Sequence, residues 1–263
     1  MLIDAVTDIL REAAEVAIVP RFRALAAGDV SEKSPGEVVT VADQEAEELI
    51  TPRLQALVNA PVVGEEATAA DPGLLSALDG DAAWVVDPLD GTANYIAGHP
   101  QWAVMAALIR RGATVAAWII RPVDGSVYVA EAGAGSWRNG VRIRREPAPA
   151  QPAELRGAAH TRFLDPASRA RARAAAPMFA ELRAGSSCAG YSYPDLVDGE
   201  LDFLLFWRTL PWDHAPGTLL ATEAGCTARR PDGTAYRPAG QGPGLLVAAG
   251  DRCWDTVRPL LLV

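Results

Sequence analysis

The sequence predicts a mixed α/β (α+β) fold, with an antiparallel sheet in its first half and an alternating α/β second half. Three observations carry this. Residues 2–24 repeat apolar side chains at helical spacing, residues 101–143 hold short apolar runs divided by glycine-containing turns, and helix and strand patterns alternate after residue 165.

In the first segment Ile3, Val6, Ile9, Leu10, Ala13, Val16 and Ala17 fall on one face, which predicts a core-packing helix. The next stretch, 28–37, is polar and contains Lys33, Pro35 and Gly36, so it reads as a mobile connection. Thr40 and Asp43 then form a Thr-x-x-Asp pattern, a capping-box variant that opens a helix running to Val58, with Pro52 expected to kink or interrupt it.

Residues 60–63 form a short apolar run before Gly64-Glu65-Glu66. A second run, 82–86, reads as a buried strand that delivers Asp87 to its end, where Pro88 removes a ladder donor and is expected to stop the pairing. Asp87 and Asp90 flank the resulting turn, and Gly91 lets the backbone come close. Two carboxylates and the Leu89 carbonyl form an oxygen-only donor set that suits a hard divalent cation. Gly91 and Thr92 open a short helix whose free N–H groups suit a phosphate. Asp-Pro and Asp-Gly are also ordinary turn formers, so the turn gains weight from its company. That company is Glu65 upstream and Trp212-Asp213 downstream.

Strands follow at 103–109, 114–120, 126–130 and 141–143, with hairpin signals at Arg110-Arg111-Gly112, Val123-Asp124-Gly125 and Asn139-Gly140. The proline- and alanine-rich stretch 146–152 reads as a linker, which divides the chain into halves 1–146 and 147–263. In the second half, 165–184 reads as an alanine- and arginine-rich helix, 201–206 as a strand, and 212–224 as a helix stopped by Gly225. A strand at 244–249 and a helix at 254–262 close it.

Composition narrows the function classes. At 263 residues the chain can bury a large core, and its net charge of −9 argues against nucleic acid as a partner. A phosphorylated substrate would meet repulsion from these carboxylates unless cations lay between them. There is no apolar run long enough to cross a bilayer and no signal-peptide pattern, so the expectation is a soluble, cytoplasmic protein. Cys188, Cys226 and Cys253 read as reduced core thiols, and His99, His160 and His214 are too scattered for a zinc triad.

Taken together the motifs resemble the inositol monophosphatase family of metal-dependent, lithium-sensitive phosphatases. The family signature Asp-Pro-hydrophobic-Asp-Gly-Thr-x-Asn-aromatic matches residues 87–95, and its Val-Thr-x-x-Asp, Gly-Glu-Glu and Trp-Asp motifs match 39–43, 64–66 and 212–213. The resemblance implies the layered αβαβα sandwich shared with fructose-1,6-bisphosphatases, and a homodimer. It also implies that Glu65, Asp87 and the Leu89 carbonyl hold one Mg2+, with Thr92 and Asp43 orienting its water. Asp87, Asp90 and Asp213 would hold a second Mg2+, Gly91 and Thr92 N–H groups would bind phosphate, and a third Mg2+ would sit loosely near Glu65. The family carries a lysine seven residues before the motif threonine, where this chain has Lys33 before Thr40. From the residues alone Lys33 reads equally as a surface lysine.

The implied activity is Mg2+-dependent hydrolysis of a small polyol phosphate. Histidinol phosphate, fructose 1,6-bisphosphate and 3′(2′),5′-bisphosphate nucleotides are alternative substrates, and a non-catalytic metal-binding homologue is a third class. Inositol-specific members carry a glutamate seven residues before the C-terminal metal aspartate, and here that position is Phe206. The contact to ring hydroxyls is therefore missing, which leaves Trp207 and Arg208 as its replacements or makes the substrate something other than myo-inositol phosphate. Residues 185–191 resemble the family's substrate loop, with Cys188 and Ala189 as the contact positions.

Overall fold

The computed structural model describes residues 1–34, 36–240 and 242–262. Helix α1 (Leu2–Ala13) passes into a π-helical turn, Ala14–Ile18, and a 3-10 turn, Val19–Arg21. The wider π turn rotates the apolar stripe. Ala14, Ala17 and Ile18 are buried as a result, whereas Val16, which simple helical spacing puts on the core face, is 57% exposed.

The polar stretch that follows carries two short strands where an irregular connection was expected. Strands β1 (Val30–Ser34) and β2 (Glu37–Thr40) pair antiparallel, and Pro35 lies outside the described residues. Helix α2 (Val41–Leu57) starts at Thr40, where Oγ1 accepts from Ala42 N–H at 3.1 Å and Asp43 Oδ2 accepts from Thr40 N–H at 2.9 Å. Pro52 is contained within this helix and does not end it.

The first sheet follows: β3 (Val62–Gly64), β4 (Ala82–Asp90), β5 (Ala103–Arg110), β6 (Ala113–Arg121), β7 (Ser126–Glu131), β8 (Gly135–Arg138) and β9 (Val141–Ile143). These seven strands lie side by side in chain order, with only the β3/β4 pair parallel. Short helices α3 (Glu65–Ala70) and α4 (Thr92–Ile96) leave β3 and β4 respectively. The turns Arg111-Gly112 and Asn139-Gly140 hold both residues at positive φ, the twist that two-residue hairpins prefer. Strand β8 is not among the strands expected from the sequence.

Residues 144–151 contain no helix or strand. The second half comprises β10 (Arg156–Ala159), α5 (Pro166–Ala175), β11 (Glu181–Ala184), α6 (Ala189–Val197), β12 (Phe203–Phe206), α7 (Pro211–Glu223), β13 (Thr227–Arg229), β14 (Leu245–Ala248) and α8 (Asp251–Leu262). The five strands take the order β11-β10-β12-β14-β13. The helix expected over 165–184 is thus corrected to a helix, a 3-10 turn at Ala176–Met178 and an edge strand. Pro177 supplies the reason, because it lacks a donor and its ring clashes with the preceding turn. Helix α6 was not anticipated.

Alternation along the strands generates the layers. Val104 and Ala106 join Trp84 and Trp118 against α1 and α2, while Ala103 and Met105 face α6 and α7. In the second sheet Leu204 and Phe206 face the same α6/α7 layer, and Phe203 and Leu205 face α5 and α8. The result is an αβαβα sandwich. Trp84 and Trp118 are fully buried with ring centroids 5.9 Å apart, and truncating either to alanine would cost about 3–5 kcal/mol. Among the described residues no helix is long and apolar enough to cross a membrane.

Candidate active site

Strand β4 does not stop at Pro88. Asp87 pairs with Met105 and Asp90 with Ala103, so three steps on β4 match two on β5. This is a bulge, and Pro88, which cannot donate to the ladder, is tolerated inside it. In a regular strand residues three apart point to opposite faces, whereas the extra residue turns Asp87 and Asp90 toward the same α6/α7 layer. Gly91 then takes φ +88°, and a Cβ there would lie 2.9 Å from the Gln101 carbonyl oxygen and 3.1 Å from Cys188 Cβ.

Around this turn one carboxylate oxygen each from Glu65, Asp87 and Asp213 lies within 4.8 Å of the other two. Glu65 arrives at the start of α3 and Asp213 in the first turn of α7. Asp90 stands beside this group but is held by α6: its Oδ2 accepts from Gly190 N–H at 2.5 Å and from Cys188 Sγ at 3.0 Å. Burial, then the neighbouring carboxylates, push the Asp87 and Asp213 carboxyls well above their ordinary range. Burial raises Asp90 to about 6, against the hydrogen bonds from Cys188 and Gly190.

Thr92 Oγ1 lies 3.1 Å from both Asp43 Oδ1 and the Leu89 carbonyl oxygen, two acceptors that share its single O–H proton. Asp43 is fixed in turn, because Thr40 donates to its Oδ2 from both N–H, at 2.9 Å, and Oγ1, at 2.5 Å. Burial raises the Asp43 carboxyl to about 6 even though these hydrogen bonds oppose it. The capping box at α2 and the Asp43–Thr92 contact therefore share one carboxylate. Asn94 Nδ2 ties the same turn to Gln101 and Ser186 carbonyl oxygens, at 2.8 and 2.9 Å.

Lys33, on the β1/β2 hairpin, reaches Glu65 at 2.5 Å and Glu66 at 2.7 Å. Burial works against its charged form, but the two carboxylates more than offset this and hold it protonated, above the usual lysine range. Glu66 is itself raised to about 7 by burial and by Glu65.

Glu47 is a site residue that motif reading missed. Its carboxylate accepts from Glu66 N–H at 3.0 Å and Ala67 N–H at 2.8 Å, so it caps α3 from outside. A Cβ on Gly64 would come within 2.4 Å of that carboxylate, which is why the residue before Glu65 is glycine. The available signal was spacing: Glu47 follows Asp43 by one helical turn and shares its face.

Next to the acidic group lies a pocket of about 380 Å3 that includes Asp90, Cys188, Ala189, Phe206, Arg208 and Asp213. Cys188 is buried and its thiol pushed far up, by burial and then by Asp90, so it acts as a weak donor to that carboxylate. Phe206 is buried and stacked between His160, centroids 4.4 Å apart, and Tyr193, 5.3 Å apart. His214 packs on Phe206 edgewise at 4.6 Å; its Nδ1 lies 2.9 Å from Tyr193 Oη and its Nε2 3.1 Å from the Arg208 carbonyl oxygen. Both ring nitrogens are thus engaged, and His214 is a structural residue. Arg208 is paired with Glu37 on the hairpin, and Arg162 Nη2 donates to the Gly36 carbonyl oxygen at 3.1 Å. His160, Arg162 and Phe163, which also line the pocket, lie in stretches without a sequence motif, whereas Ser187 falls in the 185–191 stretch.

The sequence profile of the inositol monophosphatase family matches residues 2–256. The chain belongs to the inositol monophosphatase family. It is 31% identical over 202 residues to the Nus factor SuhB of Vibrio cholerae, a match covering 74% of this chain and 72% of that protein. It is 33% identical over 208 residues to an inositol-1-monophosphatase of Mesorhizobium japonicum, covering 74% and 73%. Among solved structures, an IMPase of Thermotoga maritima superposes with a TM-score of 0.83 at 23% identity, over 98% of this chain and 96% of that one, a likeness of fold. The inositol monophosphatase family fold is accordingly a phosphatase-type fold, and here it brings three acidic residues from β4, α3 and α7 to one point.

Proposed function

We propose that this chain is a Mg2+-dependent phosphate monoester hydrolase acting on a small phosphorylated molecule. The convergence of Glu65, Asp87 and Asp213 carries this reading. The donor set fits the metal: carboxylates and a backbone carbonyl are hard oxygen ligands, and the buried negative charge is met only in part by the Lys33 ammonium at Glu65 and by Arg208 near Asp213. Glu65, Asp87 and the Leu89 carbonyl would hold one Mg2+, and Asp87, Asp90 and Asp213 a second, with a third near Glu65. Bound there, the metal supplies charge neutralisation at the phosphoryl group and a lowered pKa for an attacking water.

The chain's own residues do the positioning. Thr92, its hydroxyl held by Asp43 and Leu89, directs its remaining lone pairs toward a water, and Asp43 can take up a proton through it. The Gly91 and Thr92 N–H groups would receive the phosphate oxygens. Asp90, anchored on α6, couples the turn to the pocket where the leaving group sits. A cytoplasmic location, reduced thiols and a homodimer belong to the same proposal.

The experiment is phosphate release with and without Mg2+ across myo-inositol 1-phosphate, sugar phosphates, histidinol phosphate, fructose 1,6-bisphosphate and adenosine 3′,5′-bisphosphate. Release that requires Mg2+ and is lost in Asp87→Asn supports the assignment. A second reading, a Nus factor role, has in its favour the identity to the Vibrio cholerae protein. Absence of release across the whole panel would favour it over the first.

A further inference from the structure

We infer that the molecule released with phosphate carries a second anionic group, a phosphate or a carboxylate, bound by Arg208 and Arg162 on the wall of the pocket. This inference rests on the phosphatase reading and names its substrate class.

Away from the acidic group the pocket is walled by His160, Arg162, Phe163, Phe206, Trp207 and Arg208. Apart from Asp90 and Asp213, no carboxylate or side-chain amide lines it among the described residues. A neutral polyol presents hydroxyls that need acceptors as well as donors, and a guanidinium accepts nothing. Phe206 offers only carbon, closed in between His160 and Tyr193. His160 is held just as firmly, because a Cβ on Gly185 would fall 2.2 Å from its ring. Burial lowers its pKa to about 4, so at neutral pH the cations on this wall are the two arginines. A guanidinium meets a carboxylate or phosphate with two parallel N–H donors, a match that hydroxyls do not reproduce.

Both arginines are pre-positioned. Their guanidinium carbons lie over the Phe163 ring, 5.3 Å away for Arg162 and 4.4 Å for Arg208. The β1/β2 hairpin holds each from the other side, through the Gly36 carbonyl and Glu37. The Arg208 and Glu37 side chains are 40% and 31% exposed, so their pairing is weak and yields to a better anion. Glu37 in this view is a placeholder that keeps Arg208 aimed.

The test is Mg2+-dependent phosphate release from matched pairs differing by one anion. Fructose 1-phosphate against fructose 1,6-bisphosphate reports an added phosphate, and glycerol 2-phosphate against 2-phosphoglycerate reports an added carboxylate. The expected result is kcat/KM about tenfold or more higher for the second-anion member of one pair, carried in KM. Arg208→Met should shrink that ratio toward one, and Glu37→Gln should enlarge it by releasing the guanidinium. Ratios near one in both pairs, or a preference undiminished in Arg208→Met of native circular dichroism, overturn the inference and leave the phosphatase reading standing. No release from any compound overturns the phosphatase reading itself, so the two failures are distinguishable.

Discussion

Asp87 and Asp90 reach the same layer of the sandwich because strand β4 carries one residue more than its partner between them. One carboxylate meets Asp213 on α7 and the other is caught by the first turn of α6. The bulge therefore links the acidic group to the pocket, and Gly91 must turn the chain immediately after it. Gly91→Ala places a Cβ against the Gln101 carbonyl at a φ that side chains avoid, and it should cost about 1–3 kcal/mol of stability. Urea unfolding of the metal-free protein measures this; a midpoint equal to wild type would refute the strain argument.

Thr92 is held by Asp43 on one side and Leu89 on the other. Thr92→Val keeps the shape and deletes the hydroxyl, so kcat for phosphate release should fall by about 10²–10⁴-fold with the fold intact. Thr92→Ser should recover most of it. Equal activity of the valine and serine variants would remove Thr92 from the chemistry.

Glu47 touches neither the pocket nor the acidic group directly, but it fixes the N–H groups at the start of α3, from which Glu65 projects. Glu47→Ala should weaken Mg2+ activation by about 10–100-fold, read as the Mg2+ concentration at half-maximal rate. An unshifted midpoint would show that α3 holds Glu65 without this cap.

The metal-free site carries a pH signature. Burial, first of all, raises Asp43 and Asp90 to about 6 and Glu66 to about 7, from ordinary values of 3.8, 3.8 and 4.5. Carboxyls raised by folding contribute stability that is full below pH 4 or so and is lost as pH rises through about 6–7. His214, lowered by burial to about 3, acts in the opposite sense, losing its contribution as pH falls below about 6.5, with or without metal. The gain in Tm on adding Mg2+ should accordingly be larger near pH 8 than near pH 5, by about 2–4 °C per kcal/mol recovered. Differential scanning fluorimetry at the two pH values decides this, and equal gains would contradict it.

Much of the site was legible because its residues stand in short fixed motifs, and the apolar run at 82–86 reads as a strand that the structure extends to Asp90. The bulge was not legible: Pro88 signals an end to pairing, and only cross-strand register reveals that β4 continues. The π turn in the first helix moved Val16 into solvent for a similar reason, since a one-residue change of pitch leaves no mark on composition. Helix α6 was hidden because Gly190 falls in the 185–191 stretch read as a loop, although small Gly190 is needed where a Cβ would lie 2.4 Å from Ala103 Cβ. The pocket wall was least legible. Arg162, Phe163 and His160 meet Arg208 and Phe206 only through the packing of β10 beside β12, a pairing between distant segments.

The most direct test of the central claim is a Mg2+ titration of phosphate release by the chelator-treated protein and by Asp213→Asn, using whichever substrate in the panel turns over. The claim predicts no release without metal, saturable activation by Mg2+ in the wild type, and loss of that activation in the variant. Metal-independent release, or an Asp213→Asn variant that Mg2+ activates like wild type, would contradict it.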